Sequence, residues 1–388
     1  MNPIYLDYAA TTPTDKKVIE AMLPYFGEIC GNPSSLHAFG QEAKAAVEGA
    51  RKRIASFLGA QPSEIVFTSG GTESDNFAIK GVAHANRKRG GHIITSAIEH
   101  HAVLETCRFL EQEGFRVTIL PVGGDGFVDP SAVAGAITDN TVLISIMHAN
   151  NEIGTIQPIA EIGAMARGRG IAFHTDAVQT FGHLPFTADE LNCDLISASA
   201  HKLYGPKGVG LLYIRRGTRI TPFIHGGEQE NGRRASTLNV PGIVGFGKAV
   251  ELAGAGLAEE AARETAMRDR FIRGLFERLE GIRLNGHPTR RLPNNINISL
   301  ASVEGEGMIL SLDMMGIACS TGSACSSSSV ETSHVLSAIG LPKEYSHGSL
   351  RFSLGRYTKE SDIDAVLEIL PQVVRRLRSL APHHSGGK

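Results

Sequence analysis

The 388-residue sequence has no excess of charge of either sign: 38 Lys+Arg stand against 40 Asp+Glu, a formal net charge of −2. Nucleic-acid binders neutralise phosphates with clustered base, so this balance argues against nucleic acid as the main partner. Cysteines are few, at Cys30, Cys107, Cys193, Cys319 and Cys325, and no Cys-x-x-Cys occurs. An odd number at irregular spacing excludes a secreted disulfide framework and fits a reducing cytosol, so a cytoplasmic location is expected. The opening "MNPIYLDYAATTP" has no basic stretch leading into an apolar run, and no signal peptide is expected. No apolar stretch approaches the ~20 residues that span a bilayer, so no membrane partner is expected. Neither a Walker A loop nor a GxGxxG fingerprint is present. The second absence disfavours a nicotinamide dehydrogenase. There is no internal repeat.

What remains is average soluble composition, 42% hydrophobic and 20% charged, which does not suit disorder. The length calls for more than one core. Between residues 60 and 215, short apolar runs alternate with helix-like stretches. The runs are "EIVFTS" (64–69), "GHIITSA" (91–97), "FRVTILP" (115–121), "TVLISIM" (141–147), "GIAFHTD" (170–176), "DLISASA" (194–200) and "GVGLLYI" (208–214). Such a pattern predicts an α/β fold, with a mostly parallel sheet between helices. A long helix is predicted from about Pro241 to Glu280. Beyond it, short strands in "NNINISL" (294–300) and "SLRFSL" (349–354) and helices near 305–315 and 360–380 predict a smaller α+β domain. We assign 15–255 to the large domain, and 1–14 with 256–388 to the small one.

Several motifs carry chemistry, each with a plainer alternative. "TSGGTESDNFAIKG" (68–81) follows a strand and opens a helix, so Gly71 and Thr72 can turn backbone N–H groups toward a phosphate; it also reads as a capped turn. Asp176 ends the strand in "FHTDAVQT", where it can hold a protonated ring nitrogen or cap a helix. Lys202 follows a buried strand in "SASAHKLYGPKG". Desolvation there would ease proton loss and imine formation, although a surface lysine reads the same. His100 and His101 are adjacent, a poor metal pair; one can stack on an aromatic ring. Asn151 can reach a ligand oxygen or cap a turn. Arg351, inside an apolar strand, needs a partner, either a salt bridge or a substrate carboxylate. Together these are the parts that pyridoxal phosphate needs: a phosphate cup, an acid for the pyridine nitrogen, a stacking group and a lysine for the aldehyde. Cys325 lies in "STGSACSSSS" (320–329), among small residues that could not bury the sulfur.

Over almost its whole length the chain resembles the cysteine desulfurases, pyridoxal-phosphate enzymes of the class V aminotransferase family. The resemblance is carried by "GNPSSLHAFG" (31–40), "VFTSGGTESDN" (66–76), "HANNEIGTIQP" (148–158), "HTDAVQ" (174–179), "HKLYGPKGVG" (201–210), "HGGEQENGRR" (225–234) and "STGSACSS" (320–327). The serine-rich cysteine segment resembles the subgroup that supplies sulfur for iron–sulfur clusters. The resemblance implies the fold-type I transferase architecture. It matches Lys202 to the Schiff-base lysine, Asp176 to the partner of the pyridine nitrogen, and Gln179 to the partner of the ring hydroxyl. His100 matches the stacking histidine and a proton carrier. Gly71, Thr72, Ser199 and His201 match phosphate contacts. Thr237 matches a phosphate contact from the other subunit, which implies a homodimer. Asn151 matches a contact to cofactor and substrate, Arg351 the clamp on the carboxylate of L-cysteine, and Cys325 the persulfide-forming cysteine.

Cys325 would take sulfur from L-cysteine, leaving L-alanine, and pass it to an iron–sulfur scaffold or another acceptor protein. It is also a candidate transient iron–sulfur ligand. The other four cysteines read as packed small hydrophobes. A selenocysteine lyase or other pyridoxal-phosphate lyase of the same fold is the alternative; such a lyase needs no thiol, so Cys325 discriminates.

Overall fold

The computed structural model describes residues 3–321 and 333–380. The chain enters through β1 (Ile4–Tyr5), α1 (Lys16–Met22) and α2 (Ala38–Leu58). His37 caps α2 by accepting from the Gly40 N–H, and Gly59 ends it in the left-handed region at φ 65°. Its buried face repeats at helical spacing through Ala43, Val47, Ala50, Ile54 and Leu58.

Seven strands then build the central sheet: β2 (Ile65–Thr68), β3 (His92–Ser96), β4 (Arg116–Leu120), β5 (Thr141–Ser145), β6 (Ala172–Asp176), β7 (Leu195–Ser199) and β8 (Gly210–Ile214). Each falls on one of the apolar runs read from the sequence. Their order is β2-β8-β7-β6-β5-β3-β4. β3 pairs in parallel with β4 and β5, and β5, β6 and β7 continue in parallel. β8 alone runs antiparallel to its neighbours β7 and β2. Only residues 200–209 join β7 to β8, too short for the helical crossover that a parallel return needs. Helices α3 (Gly71–Asn86), α4 (His101–Gln112), α5 (Pro130–Ala136) and α6 (Ile159–Gly168) fill the connections from β2 to β6, and residues 177–194 join β6 to β7 through turns. β3, β5 and β7 are buried at every position, as a sheet covered on both faces requires.

Helix α7 (Val240–Arg278) spans 39 residues. Its first turns put Val240, Ile243, Phe246 and Val250 into the core around α2 and the sheet. Gly247 permits the close crossing, since a Cβ there would lie 2.7 Å from the Ala50 Cβ. The far end puts Met267, Phe271 and Leu275 into a second core with Leu6, Ile298 and Phe352. By length and apolarity alone a window of α7 could cross a membrane, which the sequence reading did not expect. Just over half of that window (56%) is buried inside the fold, and these core contacts account for its apolarity.

The second core is covered by an antiparallel sheet of β9 (Ile282–Leu284), β10 (Asn295–Leu300) and β12 (Ser349–Ser353), ordered β12-β10-β9. β1 pairs in parallel with β11 (Ile317–Ala318). α8 (Gly305–Asp313), α9 (His334–Ala338) and α10 (Glu360–Leu380) complete it.

One buried group in α7 sets a pH dependence. Glu264 is 1% exposed, and its Oε1 has no hydrogen-bond partner among the described residues. Burial pushes its carboxyl up to about 8. An acid raised in the folded state favours folding while protonated and loses that contribution as pH climbs from about 4.5 to 8. Glu264→Gln should therefore raise Tm at pH 8 by a few degrees, with the gain vanishing near pH 4. An equal shift at both pH values in calorimetry would contradict the assignment.

Candidate active site

The loops at the carboxyl ends of the parallel strands, where open α/β sheets bind ligands, enclose a cavity of about 300 Å³. Lys202, in the short turn after β7, lines it. Its Nζ donates to the carbonyls of Ala9 (2.5 Å) and Ala10 (2.8 Å). The peptide carbonyl of Lys202 faces His183 Nε2 at 2.8 Å. The next turn is strained, with Tyr204 at φ 63°. The N-terminal segment holds it: Thr12 Oγ1 donates to the His201 carbonyl and accepts from the Tyr204 N–H. "DYAATTP" is thus a backbone clamp on the lysine turn. Gln179 Nε2 also donates to Ala9, at 3.0 Å.

Asp176 ends β6. Its Oδ1 accepts from the Val178 N–H at 2.8 Å, so it closes a turn rather than capping a helix. Burial pushes its carboxyl up to about 6, against the Val178 bond and the charge of Lys202. A second carboxylate, Asp75 on α3, lines the same cavity and was not singled out in the sequence. Asp75 is 1% exposed, its Oδ1 has no hydrogen-bond partner among the described residues, and it lies 3.6 Å from His174 Nε2. Burial, then the neighbouring Asp176, raises the Asp75 carboxyl well above its ordinary range. Two buried carboxyls side by side call for a cationic N–H.

At the other end, α3 begins at Gly71 after Gly70, whose φ of 158° excludes a side chain without strain. The first N–H groups of a helix lack intrahelical acceptors, and the dipole there favours an anion. A second cavity of about 380 Å³ opens at this end, lined by Gly71, Thr72, Ser199, His201 and Lys207 among others. A Cβ on Gly71 would meet Val178 Cγ2 at 2.7 Å, so glycine here accommodates Val178. An anion-binding helix end, a lysine and a pair of buried acids fit a phosphorylated, protonated pyridine aldehyde; these residues suit pyridoxal phosphate.

His100 is the N-cap of α4, its Nδ1 accepting from the Ala102 N–H at 3.1 Å. Burial, then the charge of Lys202, pushes its imidazole down to about 4. The neutral ring therefore carries its proton on Nε2. The turn after β5 is capped by Asn150 rather than by Asn151, the Asn150 Oδ1 accepting from the N–H groups of Glu152 and Ile153. Asn151 lines the cavity. Arg351 on β12 meets Asp7 Oδ1 at 2.9 Å, the salt bridge of the two sequence alternatives, and it also lines the same cavity.

Lys202, Asp176, His100, Gln179, Asn151, Arg351, Gly71, Thr72, Ser199 and His201 all line the main cavity. Thr237 does not; it is exposed elsewhere on the surface. Cys325, and with it the expected iron–sulfur ligand, lies outside the described residues. The described residues flanking its segment are tied to the pocket. Ser320 and Arg351 exchange backbone hydrogen bonds, and Ser333 Oγ donates to Glu152 at 2.6 Å.

Cys107, Cys193 and Cys319 pack as expected, with burial pushing Cys107 and Cys319 to about 12. Cys30 departs from the expectation, because it is exposed; it follows the short helix Leu23–Phe26, of which no residue is buried. Among the described residues, no group of three or more His, Cys, Asp or Glu is placed to hold a metal.

The class-V aminotransferase profile matches residues 4–366. Cysteine desulfurase IscS of Dictyoglomus turgidum is 58% identical over 380 residues, covering 98% of this chain and 96% of its own. The protein of the same name from Methanosarcina thermophila is 57% identical over 379 residues, covering 98% and 94%. Among solved structures, a NifS-like protein superimposes with a TM-score of 0.91 at 40% identity, over 97% of this chain and 100% of that one. By family profile, by full-length relatives and by fold, the chain belongs to the class-V aminotransferase family and, within it, to the cysteine desulfurases.

Proposed function

We propose that the protein removes sulfur from L-cysteine, releases L-alanine, and holds the sulfur as a persulfide on Cys325 for transfer to an iron–sulfur scaffold or another acceptor. The observation that carries this reading is the convergence of Lys202, Asp176 and Arg351 on one cavity. The solved structure titled SspA in complex with cysteine, 41% identical over 92% of this chain with a TM-score of 0.81, supports cysteine as the substrate.

Gly71, Thr72, Ser199 and His201 would hold the phosphate of pyridoxal phosphate, Asp176 its ring nitrogen, Gln179 its hydroxyl and His100 its ring. When bound, the cofactor supplies an aldehyde for amines and a ring that accepts electron density from the substrate carbon. Arg351 and Asn151 grip the substrate carboxylate and so set the direction of the Cα–H bond. The free amine of Lys202 takes that proton. The thiolate of Cys325 attacks the substrate sulfur, forming an S–S bond as the Cβ–S bond breaks. The electron pair stays with the carbon skeleton, which is protonated to alanine. His100, with its proton on Nε2, is set to donate rather than accept.

Thr237 completes the phosphate site of a second copy, which makes the protein a homodimer; its exposure in its own chain supports this. We place the protein in the cytoplasm, on its odd and irregularly spaced cysteines. The test is to mix purified holoenzyme with L-cysteine and a reductant and assay alanine and sulfide together. Equal amounts are expected, and sulfide without alanine would overturn the reading.

A further inference from the structure

Cysteine and alanine carry the same α-carboxylate. A clamp that grips the substrate hard therefore grips the product equally hard, and uniform tightening slows release without helping the chemistry. Arg351 meets this problem already paired. Its Nη2 lies 2.9 Å from Asp7 Oδ1, with side chains 2% and 19% exposed. Its Nη1 donates to the Asn151 carbonyl at 3.0 Å.

Arg351 lines the cavity and Asp7 does not, so the carboxylate holds the guanidinium from behind. Asp7 is itself anchored. It forms a bridge with Ser353 on β12, and its carbonyl accepts from the Tyr5 hydroxyl at 3.0 Å. Burial raises the carboxyl of Glu152 and pushes the thiol of Cys319 to about 12; both groups lie near Arg351. Asp7 is a carboxylate in direct contact with the guanidinium, so it lowers the positive charge that Arg351 offers an incoming anion.

We propose that Asp7 is a positioning residue that both aims and weakens the Arg351 clamp, so that alanine leaves once its sulfur is gone. This rests on the desulfurase reading of the site. Two variants separate the parts: Asp7→Asn keeps an acceptor for Nη2 while removing the charge, and Asp7→Ser removes most of both. After their Tm and cofactor content are checked, each holoenzyme is titrated calorimetrically with L-alanine and with ethylamine, an amine lacking the carboxylate.

Asp7→Asn should bind alanine about tenfold more tightly, as expected for a partly buried charge pair at contact distance, with ethylamine binding unchanged. Its kcat and KM for cysteine should fall together, the pattern of slowed release. Asp7→Ser should show a smaller gain. Unchanged or weaker alanine binding in both variants overturns the proposal. Arg351→Ala in parallel separates the two levels. If it loses alanine while Asp7→Asn is unaltered, only the role of Asp7 fails. If it binds alanine as well as wild type, the clamp itself is misassigned and both fail.

Discussion

Replacing Lys202 with alanine lowers cysteine turnover by about a hundred- to ten-thousand-fold, the range for loss of a positioned proton-transfer group. In the proposed mechanism the amine does two jobs from one place, attaching to the cofactor aldehyde and moving the substrate Cα proton. The structure explains how one side chain can do both. The turn that carries it is pinned by Thr12 and His183, while its Nζ is held by two backbone carbonyls, those of Ala9 and Ala10. Carbonyls hold an amine by hydrogen bonds without neutralising its charge. The variant should also lose the visible absorption of the lysine-linked cofactor. A Lys202→Ala protein with wild-type turnover would show that another base serves.

Replacing Cys325 with alanine removes sulfide release altogether and leaves the cofactor colour intact. The two variants therefore fail differently, one at attachment and proton transfer, the other at sulfur capture. No other described cysteine can substitute. Cys107 and Cys193 are buried, Cys319 is pushed to about 12, and thiolates rather than thiols attack sulfur. Cys30 is exposed but does not line the cavity. Sulfide production by Cys325→Ala at the wild-type rate, measured with alanine in the same sample, would remove the nucleophile from the account.

The sheet was legible because burial on both faces writes each strand as an unbroken apolar run; all seven runs became strands. The reversal of β8 was written only in the shortness of the link before it. Within the site, side chains with distinctive chemistry could be read, as Lys202, Asp176 and Arg351 were. Contacts made by backbone could not: Ala9 and Ala10 hold the catalytic amine through carbonyls that every residue possesses. Partners far apart in sequence were equally hidden. Asp7 and Arg351 are 344 positions apart, and no local pattern pairs them. Asp75 stood inside a quoted motif, yet only its place on the inner face of α3 reveals it as a second pocket acid. For Asn151 the sequence left a ligand contact and a turn cap open, and only the folded turn shows that Asn150 does the capping while Asn151 lines the cavity.

The account rests on sulfur passing from substrate to one particular thiol. Holoenzyme exposed briefly to L-cysteine, without reductant or acceptor, can be digested and its cysteine peptides weighed by mass spectrometry. One added sulfur atom on the peptide containing Cys325, with alanine formed in equal amount, is the predicted result. Alanine formed with no sulfur on that peptide, or with the sulfur on Cys30 instead, would contradict it.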